Sequence, residues 1–254
     1  MTLSPVDYDD RQHVGYARGR RMPDAARELW MRTFAEHAPP QRPLDVLDLG
    51  SGVGRLTPAL AQTFGSATGV EPSDRMRAVA EVEAAHPGVR YLAGQAEAIP
   101  LADDSVDLVL MMLSYQHVRD RAAAAREIDR VLRPGGRLFI RGVFSDRMPD
   151  IDWHRYFPRA RDIELTMFPT TSEVEAAFAP VGLKPIQMVR VREPMSASLA
   201  ETAERLSHRA ISTFEHLTEA EIEEGFERLG AAVAAETTPV PSYNDSDLMV
   251  LARA

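Results

Sequence analysis

Apolar and polar positions along this chain follow two alternating periods. Leu44-Asp45-Val46-Leu47-Asp48-Leu49 is a short, mostly apolar run that ends in Gly50-Ser51-Gly52-Val53-Gly54. The residues from Arg55 to Ala61 then read as a helix that tolerates Pro58 in its first turn. Strand-like runs recur at residues 67–70, 89–93, 105–113, 137–143, 183–191 and 246–252, and helical spacing fills residues 75–86, 121–132 and 171–178. The last of these helices is read as opened by Thr171-Ser172-Glu173, and Arg133-Pro134-Gly135-Gly136 is read as a tight turn before the fifth strand. Ahead of the first strand, residues 22–38 place Ala26, Leu29, Trp30, Phe34 and Ala38 on one helical stripe. Between the last two strands, residues 195–238 carry helical periodicity at Leu199, Ala203, Leu206, Ala210 and Phe214, then at Ile222, Phe226, Leu229 and Val233, with a capping pattern from Thr218 to Glu221. Strands alternating with helices predict an α/β fold with a seven-stranded, mostly parallel sheet and helices on both faces. The expected division is an N-terminal arm and helix over residues 1–43 and a domain over 44–254, with a helical insertion at about 195–238 serving as a lid or a homodimer surface.

The glycine cluster brings in chemistry. Strand, glycine turn and helix form a nucleotide-type cofactor site, because glycine lets the backbone turn sharply against a ligand and free N–H groups point outward at the helix start. The dinucleotide pattern is G-x-G-x-x-G, but here the third glycine is Gly54 and the place of the pattern's last glycine is taken by Arg55. Asp48, the penultimate strand residue, repels a pyrophosphate and suits a ligand bearing a cation. These residues favour S-adenosylmethionine over NAD. Glu71, about 20 residues past the turn and followed by Pro72-Ser73-Asp74, is placed to accept hydrogen bonds from ribose hydroxyls.

LDLGSGVGR, GVEPS, GQAEAIPLADDSVDLVLMMLSYQHV and LRPGGRLFI follow one another between Leu44 and Arg141. In that order they resemble the signature blocks of class I S-adenosylmethionine-dependent methyltransferases of the ubiquinone/menaquinone methyltransferase-like (type 11) group. The resemblance implies a Rossmann-like domain whose cofactor is S-adenosyl-L-methionine, with S-adenosyl-L-homocysteine as product. It implies a cofactor site made of Asp48, Gly50, Ser51, Gly52, Gly54, Glu71 and Pro72, with Gln95, Ala96 and Glu97 beside the adenine and the Met112 backbone facing the methionine portion. Similar enzymes usually carry aspartate where this chain has Gln95, whose carbonyl still accepts one hydrogen bond. N-terminal arms of such enzymes often fold over the cofactor, which makes Tyr16 and Arg20 or Arg21 candidates, the arginine fork suiting a carboxylate; a solvated arm is the other reading. Ser114, Tyr115, Gln116 and His117 would line the path from methyl group to acceptor. His117 is the first choice for a general base, with Tyr115, His154 and Tyr16 in reserve, although a histidine there also serves to brace a loop. Trp153, His154, Tyr156, Phe157 and Phe168 are either core under a loop or the wall of an acceptor pocket, and Tyr243 and Asn244 are further neighbours of it.

Composition narrows the acceptor. The 254 residues carry a formal net charge of −9, against the clustered cations that a nucleic-acid backbone requires. No cysteine is present, which removes disulfides, thiolate metal sites and a cysteine nucleophile. The histidines show no ligand spacing, so no metal is expected. The acidic start MTLSPVDYDD gives no signal-peptide pattern and no apolar run approaches the roughly 18 residues of a span, so no membrane is expected and the expected location is cytoplasmic. No Asn/Asp-Pro-Pro-aromatic segment follows the fourth strand, which speaks against amino-methylation of DNA adenine. The expectation is methyl transfer to an oxygen, nitrogen or carbon of a small, possibly natural-product acceptor in secondary metabolism, with a catalytically inactive cofactor-binding regulator as the alternative and an RNA methyltransferase or NAD enzyme behind it.

Overall fold

The computed structural model describes residues 19 and 22–253. Its centre is β1 (Leu44–Leu49), flanked in parallel by β2 (Gly65–Glu71) and by β4 (Val106–Met112), whose seven residues are all buried. With β3 (Val89–Ala93), β5 (Leu132–Gly142), β6 (Lys184–Ser196) and β7 (Ser242–Ala252) the sheet runs in the order β3-β2-β1-β4-β5-β7-β6. β7 is antiparallel to both of its neighbours and the other pairings are parallel. The α/β, Rossmann-like arrangement expected from the pattern is therefore the fold.

The period of two along each strand divides the core between the sheet's faces. Leu47, Leu49, Val109, Met111 and Ile140 point to the side covered by α4 (Arg121–Val131) and α6 (Thr171–Phe178), where Ile128, Val131 and Phe178 are buried. Val46, Leu108, Leu110 and Phe139 point to the other side, where α1 (Asp24–His37) and α2 (Thr57–Phe64) supply Trp30, Phe34, Leu60 and Phe64. α3 (Asp74–Glu83) connects β2 to β3 and is capped by the Ser73 hydroxyl, which accepts from the Met76 N–H. A third apolar cluster lies apart from the sheet. It joins Trp153, Phe157 and Ile163 to Leu206, Phe214, Ile222 and Leu229, using α5 (Pro158–Met167), α7 (Leu199–Ser207), α8 (Glu219–Ala235) and the single-turn 3-10 helices Asp152–Arg155 and Ser212–His216.

Three local expectations change. Arg133-Pro134-Gly135-Gly136 is an irregularity within β5, with the pairing to β4 slipping between Val106 and Leu108 and Gly135 at φ 78°. The capping box of α6 starts at Thr170, not Thr171, since Thr170 Oγ accepts from the Glu173 N–H and Glu173 accepts from the Thr170 N–H. β6 and β7 extend past the apolar runs because they pair with each other as an antiparallel ribbon from Arg192–Asp245 to Ser196–Ser242, a mostly polar stretch joined by its cross-strand partners.

Candidate functional site

The end of β1 meets its glycine turn under tight constraint. Gly50, Gly52 and Gly54 stand at φ 78°, 57° and 73°, the left-handed region that disfavours any side chain. A Cβ at Gly50 would come within 2.6 Å of the Ser114 Cβ, and one at Gly54 would collide with the Tyr91 hydroxyl. The turn is fastened by Gly50 and Ser51 N–H groups donating to the Val70 carbonyl at 2.8 and 3.2 Å and by Gly54 N–H donating to Ser51 at 3.0 Å. Ser51 Oγ is buried without a hydrogen-bond partner.

Two acids flank the turn. Glu71 is 7% exposed, and its carboxylate accepts from the Gly52 N–H and the Ser73 N–H, both at 2.9 Å, so it couples the glycine turn to the start of α3. Pro72 beside it is exposed. Asp48 is buried and accepts from the Thr57 hydroxyl at 2.7 Å. Burial pushes its carboxyl up to about 6, aided by the charge of Glu71 and opposed by the Thr57 hydrogen bond and by Arg55. The folded value lies above the ordinary 3.8, so between these two values the native state holds more protons than the unfolded chain. Stability then falls as pH rises from about 4 to about 6. Urea melts across that range should show the wild type losing stability relative to Asp48→Asn, and parallel curves would contradict this account.

The adenine-side candidates occupy the loop after β3. Gln95 and Ala98 form an isolated antiparallel bridge, Ala96 is buried, and Glu97 accepts the Arg119 and Asp120 N–H groups at 2.9 and 3.2 Å, joining this loop to the one after β4. Met112 ends β4 and is buried. Tyr16, Arg20 and Arg21 lie outside the described residues.

After β4 the chain turns at Leu113, a non-glycine residue at φ 55°, and enters the 3-10 turn Tyr115–His117. This geometry separates the candidates there. Gln116 faces a cavity and donates to the Leu113 carbonyl at 2.7 Å, whereas Tyr115 packs into the sheet's core against Phe178. The Tyr115 hydroxyl is buried without a hydrogen-bond partner, and burial pushes its pKa up to about 12. Tyr115→Phe is expected to leave turnover within about twofold, and to leave stability unchanged or raise it by up to about 1 kcal/mol, because the lost hydroxyl has no bond to lose. A tenfold fall in kcat would restore it to the site. His117 stands 3.3 Å from the Gln116 amide and does not line the cavity.

The cavity has a volume of about 100 Å³ and lies beyond the carboxyl ends of β4 and β5. Leu113 and Arg55 bound it on the side of the glycine turn, Met22, Pro23 and Ala26 on the side of the N-terminal helix, and Trp153, Phe168, Ile211 and Thr213 on the side of the third cluster. Asn244 also lines it, and Tyr243 is instead exposed, with Arg192 over its ring. His154 is buried beside Trp153 and outside the lining, but its partner Glu164 is part of it, with Nε2 to Oε2 at 2.9 Å. Arg141, Glu193 and Ser246 form another lining group. The Arg141 guanidinium pairs with Glu193, Ser246 Oγ donates to Glu193 at 2.8 Å, and Trp30 Nε1 donates to it at 2.7 Å. Neither Glu164 nor the Arg141–Glu193 pair was expected from the sequence, although an acid at an apolar position of a helical stripe is a readable signal for Glu164. No group of three or more His, Asp or Glu among the described residues is placed to hold a metal, and no described helix is long and apolar enough to cross a membrane.

Residues 47–140 match a family described as "Methyltransferase domain", type 11. A ubiquinone/menaquinone biosynthesis C-methyltransferase of Rubrivivax gelatinosus is 38% identical over 110 residues, 43% of this chain and 43% of that one. An uncharacterized methyltransferase of Mycobacterium tuberculosis is 44% identical over 110 residues, again 43% of each. The chain thus spans less than half the length of either relative. Among solved structures, a protein of Anabaena variabilis described as a methyltransferase from an antibiotic biosynthesis pathway superposes with a TM-score of 0.73 at 21% identity, covering 90% of this chain and 98% of that one. A geranyl diphosphate methyltransferase in complex with S-adenosylmethionine gives 0.56 at 20% identity, covering 89% and 84%. These two likenesses concern the fold, while the sequence matches concern the strand and turn blocks around the glycines. Over residues 47–140 the chain matches the type 11 methyltransferase domain, and over 110 residues it is similar to a C-methyltransferase of ubiquinone/menaquinone biosynthesis.

Proposed function

We propose that this protein transfers a methyl group from S-adenosylmethionine to a nucleophilic oxygen, nitrogen or carbon of a small acceptor held in the cavity. The observation that carries the reading is the junction itself: Leu113 and Arg55, which adjoin the glycine turn, also bound a cavity lined on another side by the helical insertion. The residues present fit the cofactor. Three left-handed glycines hold the backbone in a tight turn that leaves no room for a Cβ at Gly50 or Gly54, the Ser51 hydroxyl is buried with no partner, and a buried acid stands at the strand end. When bound, S-adenosylmethionine supplies a methyl group on a positively charged sulfur.

The chain's own residues do the rest. Glu71, fixed by two backbone N–H groups, would accept from the ribose hydroxyls, and Gln95 and Ala96 would lie at the adenine. Asp48 sets a negative potential at the end of β1 that suits a cation. The cavity wall excludes water and holds the acceptor in line with the methyl group, an effect of roughly 7 kcal/mol or more in well-oriented reactions. A ring carbon is among the acceptors in view, because relatives are named C-methyltransferases of ubiquinone and menaquinone biosynthesis. A space of about 100 Å³ favours a small acceptor over a folded macromolecule.

Calorimetric titration with S-adenosylmethionine, S-adenosylhomocysteine and, as control, NADH tests the reading. Both adenosyl ligands should bind and NADH should not. Absence of binding by either adenosyl ligand would overturn it, and binding with no turnover across a broad acceptor screen would favour a cofactor-binding regulator.

A further inference from the structure

We propose that Glu164, held by His154 and Thr213, is the acceptor-recognition group of this cavity, and that it selects an uncharged ring carrying an O–H or N–H donor. The inference rests on the methyltransferase reading for the cavity's purpose, and on residues outside the 47–140 match for its content.

Glu164 is 3% exposed, yet it lines the cavity. Each carboxylate oxygen has one donor: Thr213 Oγ1 gives its hydrogen to Oε1 at 2.9 Å, and His154 Nε2 stands 2.9 Å from Oε2. Among the described residues no arginine or lysine forms a salt bridge with it. The other nitrogen of that ring, Nδ1, is buried without a partner, so a proton there would have no acceptor. A ring proton on Nε2, donated to Glu164, avoids that cost. A carboxylate with two donors still has lone pairs free, and a buried acceptor left unmatched is costly. The lone pairs that remain are met by whatever enters the cavity.

The surroundings define what that is. Trp153 and Phe168 provide flat apolar wall, with Ile151 and Ile211 beside them, which suits a ring. Arg55, Arg141 and Arg205 are the cations of the lining, and Arg141 is paired with Glu193. Three separate segments build the anchor, namely the 3-10 turn Asp152–Arg155, α5 and the 3-10 turn Ser212–His216, and the third apolar cluster packs all three into one body. A surface acid needs no such support. A site that hydrogen-bonds a ligand donor rejects the analogue lacking it far more strongly than an apolar wall can.

The test uses the full-length protein loaded with S-adenosylhomocysteine, and 4-methylphenol and its methyl ether 4-methylanisole as probes, with affinities measured by ligand-observed NMR titration. The phenol should bind at least tenfold more tightly than the ether. Glu164→Leu should bring the two within about threefold while leaving S-adenosylhomocysteine affinity unchanged. Glu164→Gln, closer in shape and retained in case the leucine variant does not fold, should reduce the preference severalfold. Equal binding of both probes to the wild type, or an undiminished preference in Glu164→Gln, overturns the assignment. Failure of the wild type to bind S-adenosylhomocysteine, with the phenol preference intact, would instead sink the methyltransferase reading and leave the Glu164 site standing.

Discussion

Glu71→Ala should weaken binding of both S-adenosylmethionine and S-adenosylhomocysteine by roughly 100-fold or more, the larger of the two ligand effects open to a single substitution here. The magnitude follows from counting. A hydrogen bond to a charged group is worth about 1.5–3 kcal/mol, and about 1.4 kcal/mol is tenfold in affinity, so two ribose hydroxyls account for about two orders of magnitude. A second contribution comes from the turn. The Glu71 carboxylate now holds the Gly52 N–H and the Ser73 N–H at 2.9 Å each, and without it the left-handed Gly52 loses the contact that fixes its orientation. Glu71→Gln separates the two, because its carbonyl oxygen still accepts one hydrogen bond while the charge is gone. About tenfold weakening is expected for the glutamine. Calorimetry at one pH, with a thermal melt of each variant to confirm folding, gives the result. A loss below threefold in the alanine variant would remove Glu71 from the cofactor site.

What the sequence made legible, and what it hid, divides along the range of the interactions. β1, its glycines and β4 are written locally: an apolar run has one buried solution in a parallel sheet, and three glycines in five residues have few uses other than left-handed backbone. Tyr115 is a different case, for after Leu113, at φ 55°, Gln116 and not Tyr115 meets the cavity. No periodicity announces such a residue. Helix α5 went unread for a different reason. Its buried face is Ala160, Ile163 and Glu164, so a charge occupies the position where an apolar side chain would have completed the stripe. The same charge is what makes the helix interesting, since local rules are expected to fail at functional positions. His154 was singled out from an aromatic-rich stretch, but the residue that gives it a purpose lies ten positions on and belongs to another element. Likewise the upper halves of β6 and β7 are polar, and only their mutual register makes them strands.

Arg141 and Glu193 show the same long-range logic, and they yield the largest expected effect on stability. Arg141 sits near the end of β5, Glu193 on the ribbon part of β6 and Trp30 on α1, so this one cluster ties the N-terminal helix and the sheet together beneath the cavity. Both charged side chains are almost wholly buried, at 6% and 3% exposure. The Arg141 guanidinium also lies 5.0 Å from the centre of the Trp30 ring, over its face. Removing one member of a buried pair leaves the other charge without compensation, at a cost of about 3–5 kcal/mol. At about 2–4 °C per kcal/mol for a domain of this size, Arg141→Met should lower Tm by roughly 6–20 °C, and Glu193→Leu should do the same. The double variant leaves no charge stranded and should lose much less than the sum. Its remaining deficit comes from the Trp30 N–H and the Ser246 hydroxyl, which both donate to Glu193 in the native protein. A buried donor without an acceptor costs about 1–3 kcal/mol, so the double variant should stand at or above the level of the single ones. Additive losses would show that the two side chains act independently and that the cavity floor is held by packing around Trp30 instead. Recovery in the double variant would show that the charges keep each other, and that their place under the acceptor site is paid for by that pairing alone.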